Sequence, residues 1–305
     1  MKVSGNPRLL SRKYRPQQKQ IIDWGLKTLN VPSAWTLSKG EGVKVAVLDT
    51  GVDHRHPDLV NNIECMANFT SDTRCAMDFS GHGTHTAGIV AAEDNGIGVV
   101  GVAPKARLYI AKVLGDDKGG TFESVTNGVY WSIDNGVDII SMSLGAPIYD
   151  EGLHNAIKEA YEKNITVVAA AGNNGFMDGE VDYPAKYDEV ISVGSINQDY
   201  SLSGYSSAGK IEVVAPGNNI YSTYPGNSYA ILSGTSMACP FISGVLALMI
   251  GKHKKTPFNH TPIDTPEQIR EHLIRTADDY GMIGRDDYFG YGLVSPNLIM
   301  EDLHV

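Results

Sequence analysis

VKVAVLD, residues 43–49, is near-continuously apolar and ends on a carboxylate, and comparable runs recur as RLYIAKVL (107–114), VDIISMSLG (137–145), ITVVAAAG (165–172), VISVGS (190–195) and IEVVAPG (211–217). A strand with one wet face alternates apolar and polar residues, whereas unbroken β-branched runs suit strands covered on both faces of a parallel sheet. Parallel strands need crossovers, and the intervening segments supply them: Phe122, Val125, Val129 and Ile133 recur at helical spacing, as do Ile157, Ala160 and Tyr161. The predicted fold is α/β and doubly wound, with a mostly parallel central sheet flanked by helices. Further on, Thr265, Pro266 and Gln268 stand as N-cap, first helical residue and capping-box partner, and Ser295 with Pro296 opens a last short helix in the same way. No internal repeat or linker divides the chain. It reads as one domain, 20–305, behind a basic extension, 1–19, that carries Lys2, Arg8, Arg12, Lys13, Arg15 and Lys19.

The 305 residues are 42% hydrophobic with a net charge of −10, enough for one large core and the wrong sign for nucleic-acid backbones or anionic membranes. No unbroken run reaches the roughly 18 apolar residues of a membrane span. The extension has no apolar central region, so it does not read as a secretory signal, and a cytoplasmic location is expected. Cys65, Cys75 and Cys239 are an odd set without framework spacing; reduced thiols are expected, with a local Cys65–Cys75 bridge as the alternative.

Three glycine-bearing segments hold reactive side chains: Asp49 in VAVLDTG, His82 in SGHGTHTAG and Ser236 in SGTSMACP. Acid, base and nucleophile are the set that serine acyl transfer needs, because a hydroxyl is weakly nucleophilic until a base takes its proton and an acid holds that base in one tautomer. Asp49 is expected at the carboxyl end of a strand, and His82 and Ser236 at helix starts, where unpaired backbone N–H groups assist in holding an oxyanion. Asn173, in AAAGNNG at the end of another strand, offers a side-chain N–H2 as second donor. Taken singly these residues also suit caps and turns; together they point to a catalytic unit. Zinc hydrolysis is disfavoured, since His82 and His85, and His54 and His56, lack the helical His-Glu-x-x-His pattern.

DTGVDHRHPDL, GHGTHTAG, SLGAP, AAGNNG and SGTSMACP resemble the subtilisin family of serine endopeptidases over about residues 20–300, and IAKVLG and VDIISMSLG are most similar to its intracellular bacillar members. The resemblance implies Asp49, His82, Ser236 and Asn173 as the catalytic set. It implies an extended peptide added as a strand between Gly119–Gly120 and Ser143–Leu144–Gly145. A distal apolar pocket of Phe122, Val125 and Leu144 is implied too, with plain core packing as the other reading of those three. The primary pocket is expected between Ser143–Gly145 and Ala170–Gly172. At its far end Asp182, in VDYPAKY, stands where relatives commonly carry a small residue, so a basic residue before the cut is expected unless Asp182 turns to solvent or pairs with Lys186.

Calcium is the implied cofactor, in the loop AAEDNGIGVVG (91–101), held by the side chains of Asp58, Asn95 and Gln20 and the carbonyls of Glu93, Ile97 and Val99. A second cation site is implied at Ala185, Tyr187, Val190 and Glu212. Phe241 departs from the family pattern and is read as packing, and Cys239, one turn from Ser236, as facing the core. The extension is expected either to lie in the groove as an inhibitor, cut after Arg12, Lys13 or Arg15, or to be a solvated tail; its Leu9, Leu10, Ser11, Tyr14 and Pro16 match the relatives' inhibitory stretch only in part. Protein or peptide substrates are the expected partners, with a homodimer left open. The alternatives to a general endopeptidase are a dedicated leader-processing peptidase and a peptide-binding pseudoprotease.

Overall fold

The first apolar run becomes β1 (Lys44–Asp49), which lies inside a seven-stranded sheet of order β2-β3-β1-β4-β5-β6-β7. The other strands are β2 (Ile63–Asn68), β3 (Arg107–Lys112), β4 (Ile139–Met142), β5 (Thr166–Ala170), β6 (Val190–Ile196) and β7 (Val213–Pro216). Every pairing in it is parallel. The computed structural model describes residues 1–2, 19–71, 75–177, 179–255 and 263–295. The chain fills one side of β1 with β3 and β2, then crosses to β4 and works outward, so the strand order reverses at β1 and β4. A crevice beyond the carboxyl ends of strands is expected at such a reversal.

β4, β5, β6 and β7 are buried along their whole length, as their unbroken apolar runs require. The edge strand β2, IECMAN, is half-exposed and too mixed to be read from pattern, and the antiparallel hairpin of β8 (Ile220–Tyr224) and β9 (Ser228–Leu232) was likewise not expected. The helices α4 (Phe122–Asp134) and α5 (Glu151–Glu162) fall on the expected crossover segments, and Val125, Val129, Ile157 and Ala160 are buried on their inner faces. α7 (Pro266–Thr276) has the capping box at Thr265 and Gln268 that its sequence spells. The short helix expected from Ser295 and Pro296 lies outside the described residues.

α3 (His82–Ala91) and α6 (Thr235–Lys255) pack against each other, and α6 also crosses β4, β5, β6 and β7. Among the described residues α6 alone is long and apolar enough to cross a membrane, although no unbroken apolar run suggested one; residues 235–251 are buried in the domain, which accounts for that character. Phe241 is buried there against Gly25, where a Cβ would come within 2.6 Å of its ring, so it packs as expected. Cys239 is buried too, and burial pushes its thiol up to about 11, which leaves it inert at neutral pH. All three cysteines are free.

Candidate active site

β1 delivers Asp49 at its last residue, and α3 begins on His82. The His82 Nδ1 lies 2.7 Å from Asp49 Oδ1 and 2.9 Å from Oδ2. Thr50 N–H donates to Asp49 Oδ1 at 2.7 Å and the Thr86 hydroxyl to Oδ2 at 3.2 Å, so both carboxylate oxygens are held. With Nδ1 facing a carboxylate, the imidazole carries its proton there and presents Nε2 as acceptor. That Nε2 is buried and has no partner. An orphaned buried acceptor costs about 1–3 kcal/mol unless a group arrives to use it, and such atoms gather at reactive sites.

Two glycines make this close approach feasible. A Cβ on Gly83 would meet the Gly51 carbonyl oxygen at 2.2 Å, so only glycine lets α3 press onto the turn after β1. Gly81, with φ of +91°, turns the chain into the helix beneath Tyr224. Sequence reading passed over the residue that fastens this corner. Asp78 Oδ1 accepts from the Thr50 hydroxyl and from the N–H groups of Ser80 and Gly81, and Oδ2 accepts from Thr84 N–H and its hydroxyl. Its signal was an acidic residue four positions before a helix start, which is weak on its own.

Ser236 is the second residue of α6 and almost wholly buried, as are His82 and Asp49. Its hydroxyl donates to the Ser143 carbonyl at 3.3 Å, and the Ser143 hydroxyl donates to the Ser236 carbonyl at 2.8 Å, tying the helix start to the end of β4. Ser236 and His82 are therefore not hydrogen-bonded to each other. Asn173 follows β5; its Oδ1 accepts from Thr235 N–H at 3.0 Å and from the Thr235 hydroxyl at 3.2 Å, which turns the N–H2 end of the amide away from Thr235.

The two walls of the expected groove stand apart with a strand between them. Lys2 bridges antiparallel to both Gly119 and Gly145, exchanging N–H and C=O with Gly145 at 3.1 Å each way, while Gly120 N–H donates to the Met1 carbonyl at 3.0 Å. Residues 9–16 of the extension lie outside the described residues. Leu144 and Val125 are fully buried in the core and Phe122 is half-buried against it, so the distal pocket shrinks to what Phe122 offers, because the other two side chains are spent on packing.

Asp182 N–H donates to the Ala171 carbonyl at 2.9 Å, and Gly145 and Gly172 lie against its side chain. A Cβ on Gly145 would lie 2.8 Å from Asp182 Cβ, and one on Gly172 2.8 Å from Oδ2. Asp182 is 6% exposed, and burial raises its carboxyl above the usual range while the Asn174 amide, 3.2 Å from Oδ1, opposes that shift. Lys186 pairs with Glu180 and so leaves Asp182 alone.

In the loop after α3, Gln20 Nε2 donates to the carbonyls of Glu93 at 2.7 Å and Val99 at 3.3 Å. Asp58 Oδ1 accepts from the Asn95 amide at 3.3 Å, and Oδ2 from Val99 N–H and the Tyr229 hydroxyl at 2.9 Å each. Ile97 N–H closes the turn on Asn95 Oδ1. Among the described residues no three His, Cys, Asp or Glu side chains cluster, so a cation here would rest on carbonyl oxygens and the Asp58 carboxylate, the hard donors calcium takes, in place of the Gln20 and Asn95 N–H2 groups that now occupy them. The second implied site fits differently: the Lys210 ammonium lies among Ala185, Val190 and Glu212, and the Tyr187 carbonyl is taken by Val190 N–H.

A model described as the subtilase family matches residues 40–292. The chain is 43% identical over 280 residues to subtilisin DY of Bacillus licheniformis, covering 90% of this chain and 97% of that one. It is 48% identical over 241 residues to an intracellular serine protease of Paenibacillus polymyxa, covering 76% and 74% of the two chains. It is also 48% identical over 235 residues to the major intracellular serine protease of Bacillus subtilis, covering 74% of each.

Proposed function

The chain belongs to the subtilase family and is a serine endopeptidase acting on proteins or peptides, and on that premise we propose how its own residues cut and what they select. Ser236 attacks the peptide carbonyl once its hydroxyl leaves the Ser143 carbonyl for His82 Nε2. His82 takes that proton and returns it to the leaving amine, while Asp49 holds the tautomer and stabilises the imidazolium. The Ser236 N–H at the start of α6 and the Asn173 amide receive the developing oxyanion. Water then releases the acyl group. The observation that carries this reading is the buried Asp49–His82 pair whose far nitrogen has no partner.

The selected residue before the cut is Lys or Arg. Asp182 sits between Gly145 and Gly172, buried and, among the described residues, without a cationic partner, so a basic side chain entering there gains a charge-assisted partner. Its titration adds a sign: protonated Asp182 is neutral, so preference for basic residues grows as pH rises past its elevated pKa. A peptide library varied at that position, read for Asp182→Asn against the parent, tests it. Loss of the Lys/Leu ratio in kcat/KM by about tenfold or more is expected; an unchanged ratio removes Asp182 from the pocket.

Calcium in the 91–101 loop is supported by its oxygen donors, with Asp58, Asn95, Gln20, Glu93, Ile97 and Val99 as holders; bound there, it would add stability to the folded form without entering the chemistry. An intracellular location agrees with the free thiols and with the relatives named intracellular. The extension 1–19 acts as the domain's own inhibitor, supported by Met1 and Lys2 paired in the groove.

A further inference from the structure

Just beyond the primary pocket three acceptors converge on one point: the carbonyls of Ala185 and Val190 and the carboxylate of Glu212. Two carbonyls and a carboxylate are what a hard cation takes. The point is filled by the Lys210 side chain, whose Nζ lies 3.1 Å from the Ala185 carbonyl, 2.5 Å from that of Val190, and 3.2 and 3.3 Å from the two Glu212 oxygens. An ammonium has three donors, and here it meets three acceptor groups, so none is left over on either side. Glu212 is further fixed by Ser192 N–H at 2.6 Å, with Arg270 Nε 3.9 Å away. The Ser192 hydroxyl donates to the carbonyl of Lys210 itself, so the lysine's backbone is anchored on the same strand.

We propose that Lys210 is a tethered cation, its ammonium standing where a monovalent metal ion would otherwise bridge Ala185, Val190 and Glu212. A charge carried on the chain cannot dissociate, so the segment 185–190 is held at any ion concentration, whereas a bound ion stabilises only in proportion to its supply. That segment begins three residues after Asp182, so the wall of the pocket is fixed without metal. Burial draws the Lys210 pKa below the usual lysine range, and the neighbouring Glu212 carboxylate opposes that shift.

The test compares Lys210→Ala with the parent, both carrying Ser236→Ala to prevent self-digestion, by thermal unfolding in choline, sodium, potassium or calcium chloride at equal ionic strength. In choline the variant is expected to melt roughly 5–10 °C lower, since the buried Glu212 carboxylate has lost its nearest cation and keeps only Ser192 N–H and the more distant Arg270. Potassium or sodium should restore the difference saturably, with little effect of either on the parent, and Glu212→Gln added to the variant should abolish the restoration. Lys210→Met, which keeps the apolar stem, is read by the same criterion if the alanine variant does not fold. A variant no more responsive to cations than the parent overturns the proposal, as does a parent whose own potassium response disappears with Glu212→Gln. Calcium at the 91–101 loop is common to both proteins, so its presence or absence cancels in the comparison and is read separately from the parent.

Discussion

At the residue scale the site is a set of side chains each pinned through one end and exposed to chemistry at the other. Asn173 is held through its oxygen by Thr235, which fixes where its N–H2 points before any substrate arrives. Preorganised donors act mainly on the transition state, so Asn173→Leu is expected to lower kcat with KM nearly unchanged, by about 10²–10³-fold, the range measured for loss of one such donor in subtilisin itself. Steady-state kinetics on a peptide ending in lysine reads this; a rise in KM at constant kcat would instead make Asn173 a binding residue. Asp49, His82, Ser236 and Asn173 were chosen from sequence because each stands beside glycine at the end or start of an element, and the structure puts Asp49 at the end of β1 and His82 and Ser236 in the first turns of α3 and α6. Lys210 was not, since it sits in the turn that Ile211 N–H closes on the Gly209 carbonyl, ahead of β7, where no strand or helix period marks it. Its partners Ala185 and Val190 contribute only carbonyls, which no side-chain pattern reveals.

The elements matter to function through their ends. β1, β4 and β5 stop within one edge of the sheet, and α3 and α6 start there, so residues from distant parts of the chain meet without long loops. Those five were readable, since a strand buried on both faces and a helix entered through glycine leave local marks; the edge strand β2 and the β8–β9 hairpin draw on tertiary cover and left none. The hairpin is fastened by His85, on the same helix as His82, whose Nε2 donates to the carbonyls of Ile220 and Ala230 at 3.1 Å each. Full burial, with the charge of His82 adding to it, drives the His85 pKa down to about 3, so the folded protein keeps it neutral where the unfolded chain, near 6.5, binds a proton. The unfolded state therefore gains protons first, and stability present above pH 6.5 is lost as pH falls toward 3, at roughly 1.4 kcal/mol per pH unit inside that window. His85→Gln in the Ser236→Ala background should melt lower at pH 7 yet lose less Tm between pH 7 and 5 than its parent. Parallel slopes for the two proteins would place the acid sensitivity elsewhere.

For the whole molecule the question is what stands between an assembled site and a substrate. Ser236 is 1% and His82 3% exposed, and Lys2 bridges antiparallel to Gly119 and Gly145, the two walls proposed above to take a peptide substrate. Main-chain pairing of this kind is independent of side-chain identity, so the segment competes with any extended peptide on equal terms. It competes intramolecularly, at an effective concentration that for short tethers reaches the millimolar range, which exceeds the concentration of most substrates. Competition for the same backbone partners raises the apparent KM and leaves kcat alone. Deleting residues 1–19 is therefore expected to lower the apparent KM about tenfold or more at unchanged kcat, and Lys2→Pro, which removes the N–H given to Gly145 while keeping the extension, should move KM in the same direction. Both are read by initial rates on a short lysine peptide over a range of concentrations. If deletion and Lys2→Pro both leave KM unmoved, the strand in the groove is too weak to inhibit, and the burial of Ser236 must be relieved by the substrate itself.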